Sequence, residues 1–333
     1  MLIENHRLKI QCVNIFNNLA SVFTAKVFLL IATATCSIHL GAQTTDSTIN
    51  VEGRSVTLSE VFIRSNTDVK GFITRVRTDT SFYKAFRNLR ILNYTALNDV
   101  RMMDKKGRTK ATLYSRTRQD VFKGCRITKV LEENVTGDFY DRRHQYNYYT
   151  AEMYDGLFFA FDTVCGETNI VKDAMHSIKG KSGIEKHKEQ LKMLFFNPGE
   201  DIPGIPLMGD KVQIFDRSHA PLYDFGIDMI DRYGTTCYVF TIKAKEDIGG
   251  KKDKIVIDEM VTWFDYKTFE VLARTYSMSY GAGVYNFDVS MEVEMKRAGQ
   301  YLYPAVIRYN GHWGVFLKGK ERGVFTATIF DVH

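Results

Sequence analysis

The sequence lacks the motifs that mark common enzymes. It contains no G-x-S-x-G, no Walker loop, no H-E-x-x-H and no C-x-x-C, the patterns of α/β-hydrolases, phosphate-binding enzymes, zinc proteases and thiol redox sites. His176 and His187 have no carboxylate pattern between them that suits a metal, so surface or capping histidines are favoured. We therefore predict no catalytic residue, no metal, no cofactor and a protein that is not an enzyme.

Cysteine and proline are both scarce. Of five cysteines, Cys125, Cys165 and Cys237 lie beyond the N-terminal segment. An odd number allows at most one disulfide, and buried thiols are the favoured interpretation. Four of the five prolines lie in residues 197–222. This loop is either a binding loop or a plain crossover between halves of a sheet, with equal weight.

Long apolar runs are missing except near the N-terminus. Residues 27–42 contain no charged side chain if His39 is neutral, they follow Arg7, Lys9 and Lys26, and they end in small residues. This layout predicts a signal peptide over residues 1–43, because about 20 apolar residues are needed to span a bilayer. An uncleaved anchor and lipidation at Cys36 are the less favoured alternatives. We expect an exported protein that is near the membrane but does not span it.

The net charge of +6 is small and is not concentrated in one tract. Nucleic-acid-binding domains cluster Lys and Arg on one face or helix. We therefore predict no nucleic-acid partner.

Residues 285–295 alternate strictly between apolar and polar side chains. Successive side chains of a strand point to opposite faces, so this is a strand with one apolar and one polar face. Glu292 and Glu294 share the polar face, where solvation is favoured over acid–base work. Similar alternation over residues 94–102 and 270–280, with hairpin turns at 104–107, 265–268 and 310–311, predicts a large antiparallel sheet.

Two regions interrupt the alternation. An apolar stripe over residues 80–92 predicts a helix capped by Thr80 or Ser81. Residues 146–153 continue the strands, residues 157–161 form an apolar run that is either strand or helix, and residues 168–178 and 183–196 predict helices. The predicted fold class is α+β, mainly β, with a curved half-barrel sheet and helices covering its concave face.

This order of elements resembles the periplasmic lipoprotein-carrier fold (LolA/LppX-like). The resemblance is carried by the helix at 82–92, the helical insert at 168–196, the W-F-D-Y-K-T hairpin of residues 263–274 and the Y-P-A-V-I strand at 303–307. It implies an N-terminal helix, a curved antiparallel sheet plugged by helices, and an apolar ligand held without chemistry. It also implies a location in the periplasm or at the outer-membrane periphery of a Gram-negative cell.

The resulting domain layout has three parts. Residues 1–43 are the signal peptide, residues 44–78 are a leader with a short β segment, and residues 79–333 are a single curved-sheet domain with a helical insert at about 165–196. Within the leader, L-S-E-V-F-I at 58–63 resembles carboxypeptidase-regulatory-like modules of exported envelope proteins.

Two functions from different classes follow. The first is a binding protein or chaperone for a hydrophobic ligand or acylated protein in the cell envelope. The second is a structural or interaction protein with a closed core and an envelope protein as partner; a hydrolase with a dispersed site is less favoured. For the first function, the expected plug or lining consists of apolar residues in and before the insert: Leu157, Phe159, Phe161, Leu191, Leu194 and Phe195.

Overall fold

The computed structural model describes residues 47–51, 54–58, 69–158, 162–171, 194–196, 211–232, 234–246, 254–282, 285–315 and 319–333. These residues belong to one compact unit, Thr45–His333. The predicted signal peptide lies outside the described residues. None of the helices in the described ranges is long and apolar enough to cross a membrane.

The described residues include the helices α1 (Val69–Thr78), α2 (Ser81–Asn88) and α3 (Tyr149–Phe158), a short 3-10 helix at Ala220–Leu222 and a helical turn at residues 194–196. The strands are β1 (Ser47–Val51), β2 (Arg54–Leu58), β3 (Tyr94–Met103), β4 (Thr109–Phe122), β5 (Cys125–Thr136), β6 (Val164–Cys165), β7 (Tyr223–Arg232), β8 (Thr235–Ala244), β9 (Ile257–Asp265), β10 (Val271–Ala282), β11 (Tyr285–Ala298), β12 (Tyr301–Val315) and β13 (Gly319–Phe330).

One curved, open antiparallel sheet of 11 strands dominates the described fold. Its order is β6-β5-β4-β3-β13-β12-β11-β10-β9-β8-β7, while β1 and β2 form a separate hairpin. Neighbours in the sheet are also neighbours in the chain, except where β3 pairs with β13, for example Thr95 with Phe330. The predicted α+β, mainly β, half-barrel fold is confirmed.

The predicted alternation is confirmed along β3 and β11. In β11 every second residue from Phe287 to Met295 is buried, while Asp288 and Ser290 are exposed. The apolar residues define what we call the covered face of the sheet, against which the helices pack. The polar residues define the open face.

Two details of the predicted strands are wrong. Asn310 and Gly311 do not turn the chain, because β12 continues through them to Val315. A Cβ on Gly311 would lie 2.6 Å from the hydroxyl of Tyr309 and from Val289, so the glycine permits close packing inside a strand. In β10, alternation predicts Leu272 on the same side as Tyr276 and Met278, but a register shift between Val271 and Ala273 puts Val271 into the core instead.

Helix α1 was not predicted, since residues 69–78 lie in the stretch interpreted as leader. Its Phe72 and Ile73 are buried against the covered face. The predicted helix at 80–92 is confirmed over Ser81–Asn88 as α2, but residues 89–92 are not helical and Thr80 makes no capping hydrogen bond. Instead the hydroxyl of Ser81 accepts a bond from the backbone N–H of Val271, at 3.0 Å.

Helix α3 replaces part of a predicted strand. Residues 149–153 are helical because a carboxylate from β13 caps them. Glu321 accepts hydrogen bonds from the backbone N–H groups of Tyr149 and Thr150, at 3.0 and 2.8 Å, and from the Thr150 hydroxyl at 2.8 Å. A carboxylate satisfies the otherwise unpaired amides of a helix N-terminus and complements its dipole.

Thr168 and Asn169 are not helical, contrary to the prediction. Their backbone carbonyls accept hydrogen bonds from α2 side chains, Arg87 to Thr168 at 3.0 Å and Lys84 to Asn169 at 2.7 Å. These carbonyls therefore bind α2 instead of the amides of a following helical turn. Residues 172–193 of the predicted insert lie outside the described residues, and residues 194–196 at its end are helical.

Cys125 and Cys165 form a disulfide, so the expectation of buried thiols is wrong for this pair. They face each other where β6 pairs with β5. Only Cys237 keeps the expected state among the described cysteines, as a buried free thiol. Burial raises the pKa of its thiol, which makes it less reactive.

Candidate functional site

The covered face carries a core of aromatic side chains, and this is the face on which an apolar ligand was predicted to bind. Helix α1 lies over β8 and β9, where Phe72 has ring centroids at 5.3 Å from Tyr238 and 5.7 Å from Phe240. Such aromatic contacts in edge-on or tilted geometry add to the hydrophobic gain. This end of the face is therefore filled by α1.

Helix α2 covers the next part of the sheet. Phe82 and Phe86 point into the core, and the guanidinium of buried Arg274 lies 4.2 Å from the centre of the Phe82 ring. Arg274 also donates to the Thr262 hydroxyl at 2.9 Å. Asn88 fixes the end of the helix by donating to the backbone carbonyl of Leu302 at 2.7 Å.

Residues 194–196 form the centre of the candidate site. Leu194 and Phe195 are 0% and 2% exposed, and Phe196 stacks on Phe86 with ring centroids 4.2 Å apart. The Phe195 ring meets Trp313 edge-on at 5.8 Å. We call Leu194–Phe196 the wedge, because it places apolar side chains between α2 and the sheet.

A polar contact to the sheet anchors the wedge: the hydroxyl of Tyr276 on β10 donates to the backbone carbonyl of Phe195. Burial raises the pKa of Tyr276 and of Tyr309. Both phenols therefore stay protonated and remain donors. The indole N–H of Trp313 donates to the Tyr309 hydroxyl, so these two side chains are joined beneath the wedge.

Helix α3 closes the other side of the wedge. Tyr154 stacks on Phe325 at 4.7 Å and meets Tyr309 edge-on at 5.0 Å. Between Tyr154, the wedge and the sheet remains a cavity of about 10 Å³ without a polar surface. That space holds about one water-sized sphere. The wedge therefore fills the site.

The structure describes only part of the predicted lining. Leu194 and Phe195 lie together in the wedge, where both side chains are buried. Leu157 lies in α3, but its side chain is outside the description, as are residues Phe159, Phe161 and Leu191. The lining assignment of all six residues stays a prediction.

Sequence reasoning missed the residues that receive the wedge. Tyr276, Met291, Tyr309 and Trp313 come from three strands and meet under it. Alternation placed Tyr276 and Met291 on faces of their strands, whereas the turn predicted at 310–311 left Trp313 outside any predicted strand. Nothing in the local pattern indicated which members of those faces would surround residues 194–196, because this depends on pairing between strands.

Glu292 and Glu294 share one cation on the open face. Both lie against the guanidinium of Arg308 on β12, at 3.1 and 3.0 Å. The pKa of Arg308 is raised by its hydrogen bond to Glu294. This arrangement is a partly solvated ion-pair network. No group of three metal-binding side chains occurs in the described ranges.

Comparisons with known proteins add the following. No protein-family model matches the chain, and no curated protein matches it. The structure is similar to a domain named as an outer membrane lipoprotein-sorting protein from Vibrio parahaemolyticus, with 10% identity, TM-score 0.24, and coverage of 75% of this chain and 90% of that one.

Two further solved structures are similar. One is a DUF1329 family protein from Desulfovibrio piger, with 10% identity, TM-score 0.25, and coverage of 76% and 93% of the two chains. The other is a LolA superfamily protein from Nitrosomonas europaea, with 7% identity, TM-score 0.23, and coverage of 76% and 91%. These names agree with the resemblance predicted from the sequence. At such identities and TM-scores they determine no activity.

Proposed function

We propose that this protein is an exported, non-enzymatic binding protein that holds an apolar ligand, an acyl chain or lipid, on the covered face. The observation that supports this function is the wedge. Its side chains fill an aromatic site at the centre of the sheet, and the hydroxyl of Tyr276 bonds its backbone to β10. A ligand enters by displacing Leu194–Phe196.

Burial of the wedge side chains and burial of an acyl chain gain comparable free energies. Burying a Leu or Phe side chain gains about 1.5–3 kcal/mol, and burying a methylene gains about 0.8 kcal/mol. Three wedge side chains therefore contribute roughly as much as about six to eleven methylenes of an acyl chain. Exchange of one for the other is near balance, as a carrier that must also release its ligand requires.

The disulfide supports export. Disulfides persist in oxidising compartments such as the periplasm and are rare in the cytosol. Cys125–Cys165 thus agrees with the signal peptide proposed at residues 1–43. The proposed location is the periplasm or the outer-membrane periphery of a Gram-negative cell, with an acylated protein or an envelope protein as partner.

A closed-core interaction protein is the second candidate. The observation in its favour is the cavity of about 10 Å³, because ligand pockets commonly enclose about 300–1,000 Å³. Under this reading the wedge is a permanent part of the core.

Native mass spectrometry of the protein purified from the envelope fraction, with organic extraction, separates the two candidates. A co-purifying lipid, or saturable uptake of added palmitate by the apo protein, supports the binding function. Apo protein that takes up no palmitate overturns it in favour of the closed core. Leu194→Asp, with folding checked by circular dichroism, is expected to abolish retention, and Val324→Asp on the open face is the matched control.

A further inference from the structure

The open face contains a groove of about 420 Å³ across β9 to β13. Pockets for small ligands commonly enclose about 300–1,000 Å³. The groove lies on the side of the sheet opposite the wedge, since the side chains of Ser290 and Met291 point to opposite faces of β11. It therefore differs from the proposed apolar site in position and in chemistry.

The floor of the groove is a row of short polar side chains. Ser277 pairs with Ser290, and Ser290 pairs with Asn310, on three adjacent strands. Neighbouring strands lie about 4.7–4.9 Å apart, so two hydroxyls and an amide follow one another at that spacing. Thr275 and Thr326 extend the polar floor, and Val324, opposite Asn310, adds an apolar side chain at its β13 end. The groove exists because these side chains are shorter than their neighbours.

Longer charged side chains form the walls. Glu259 lies at the β9 end, and Glu292 and Arg308 lie beside the floor. Arg308 is held by Glu292 and Glu294 at 3.1 and 3.0 Å. A guanidinium has five N–H donors and a carboxylate only acceptors, so the walls offer both kinds of hydrogen-bonding group to a ligand.

The chemistry of the lining selects the ligand. An apolar ligand would strip water from hydroxyl, amide and carboxylate groups without replacing their hydrogen bonds, which is unfavourable. An anion would meet the two carboxylates that already surround the guanidinium of Arg308, and a third carboxylate, Glu259, at the β9 end. A ligand with many hydroxyls can donate to Glu259 and Glu292 and accept from Asn310 and Arg308.

We propose that the groove binds a saccharide of one or two rings, neutral or carrying an amine. The floor residues Ser277, Ser290 and Asn310 bind successive hydroxyls, and the walls bind those at the rim. The binding is non-covalent and does not depend on the apolar ligand of the covered face.

Ligand-observed NMR titration of the purified protein with cellobiose, glucosamine and glucuronate tests this site. We expect saturable binding of cellobiose or glucosamine, and at least tenfold weaker binding of glucuronate. Ser290→Leu fills the floor and should weaken binding at least tenfold. Asn310→Ala removes one hydrogen-bonding group and should weaken it about fivefold. Thr112→Leu, which also places a leucine on the open face but outside the groove, should bind as the wild type does.

Three results would overturn the proposal: no saturable binding of any of the three sugars, glucuronate binding as tightly as glucosamine, or unchanged binding by Ser290→Leu. If Ser290→Leu does not fold, Asn310→Ala decides, and unchanged binding by that variant overturns the site. Palmitate uptake is measured on the same samples, so loss of sugar binding and loss of apolar binding are distinguished.

Discussion

The two faces of the sheet differ in what occupies them. The covered face is filled by the protein's own aromatic side chains and leaves a cavity of about 10 Å³. The open face carries short polar side chains that leave a groove of about 420 Å³. Apolar surface is the first to be filled, because leaving it exposed or empty costs more than leaving polar surface in water. An apolar site in this fold therefore has to be opened, whereas a polar site can remain open.

Adjacent residues of β13 give the sharpest test of this difference. Phe325 is fully buried on the covered face, and Thr326 lies on the open face. We expect Phe325→Ala to lower the free energy of unfolding by about 3–5 kcal/mol, and Thr326→Ala to change it by no more than about 0.5 kcal/mol. Urea unfolding measures both. Equal losses would contradict the assignment of the two faces.

The disulfide lies at the end of the sheet where β5 is exposed to solvent, and we expect it to stabilise this strand. Residues 129–134 of β5 are exposed throughout, so packing against helices does not hold this strand. The bond closes a loop with a sequence separation of 40. We expect the double replacement of Cys125 and Cys165 by Ser to cost about 3–4 kcal/mol.

Thermal unfolding with and without dithiothreitol checks this value. Reduced wild type and the double variant should unfold alike. A double variant as stable as the oxidised wild type would show that β5 is held by other contacts.

Two carboxylates differ in what they hold: Glu321 caps helix α3, whereas Glu294 lies on the open face. Glu321→Gln weakens three hydrogen bonds to the start of α3, and we expect a loss of about 1–2 kcal/mol. Glu294→Gln removes one of two carboxylates around Arg308, and we expect a loss below about 1 kcal/mol. Hydrogen exchange of α3 amides should increase only in Glu321→Gln. Similar exchange in both variants would mean that Glu321 does not fix α3.

The smallest expected effect concerns the anchor of the wedge. Tyr276→Phe removes the hydroxyl that donates to the Phe195 carbonyl and keeps the ring. We expect a loss of about 1 kcal/mol in unfolding free energy and faster palmitate uptake in stopped-flow measurements. Tyr266→Phe, at a half-exposed ring, is the control. An unchanged rate of palmitate uptake by Tyr276→Phe would show that displacement of the wedge does not control ligand entry.

The strands could be predicted because the pattern that identifies each strand lies within its own residues. The period of two along β3 and β11 identifies both faces without knowledge of partners. The same local reasoning failed at Asn310-Gly311, because this dipeptide is usual in hairpin turns but here serves close packing inside a strand. It failed for α3 because the capping carboxylate of Glu321 comes from a remote strand.

For the candidate site, the sequence predicted the apolar character of the residues but not which residues surround them. The apolar character of Leu194 and Phe195 indicated burial, which is confirmed, but their neighbours Tyr276 and Trp313 come from distant parts of the chain. The groove was not predictable at all. Its floor consists of single residues from several strands, and only the register of those strands makes them a surface.

The pairing of β3 with β13 has a consequence for folding. Thr95 and Phe330 are neighbours in the sheet, yet every other pair in the sheet of the described residues joins strands that follow one another in the chain. Loop-closure entropy makes such a distant contact slow to form. During synthesis the edge of β3 waits, unpaired, until β13 has been made. This interval is when the chain is most prone to misassociate with other copies and most in need of a chaperone.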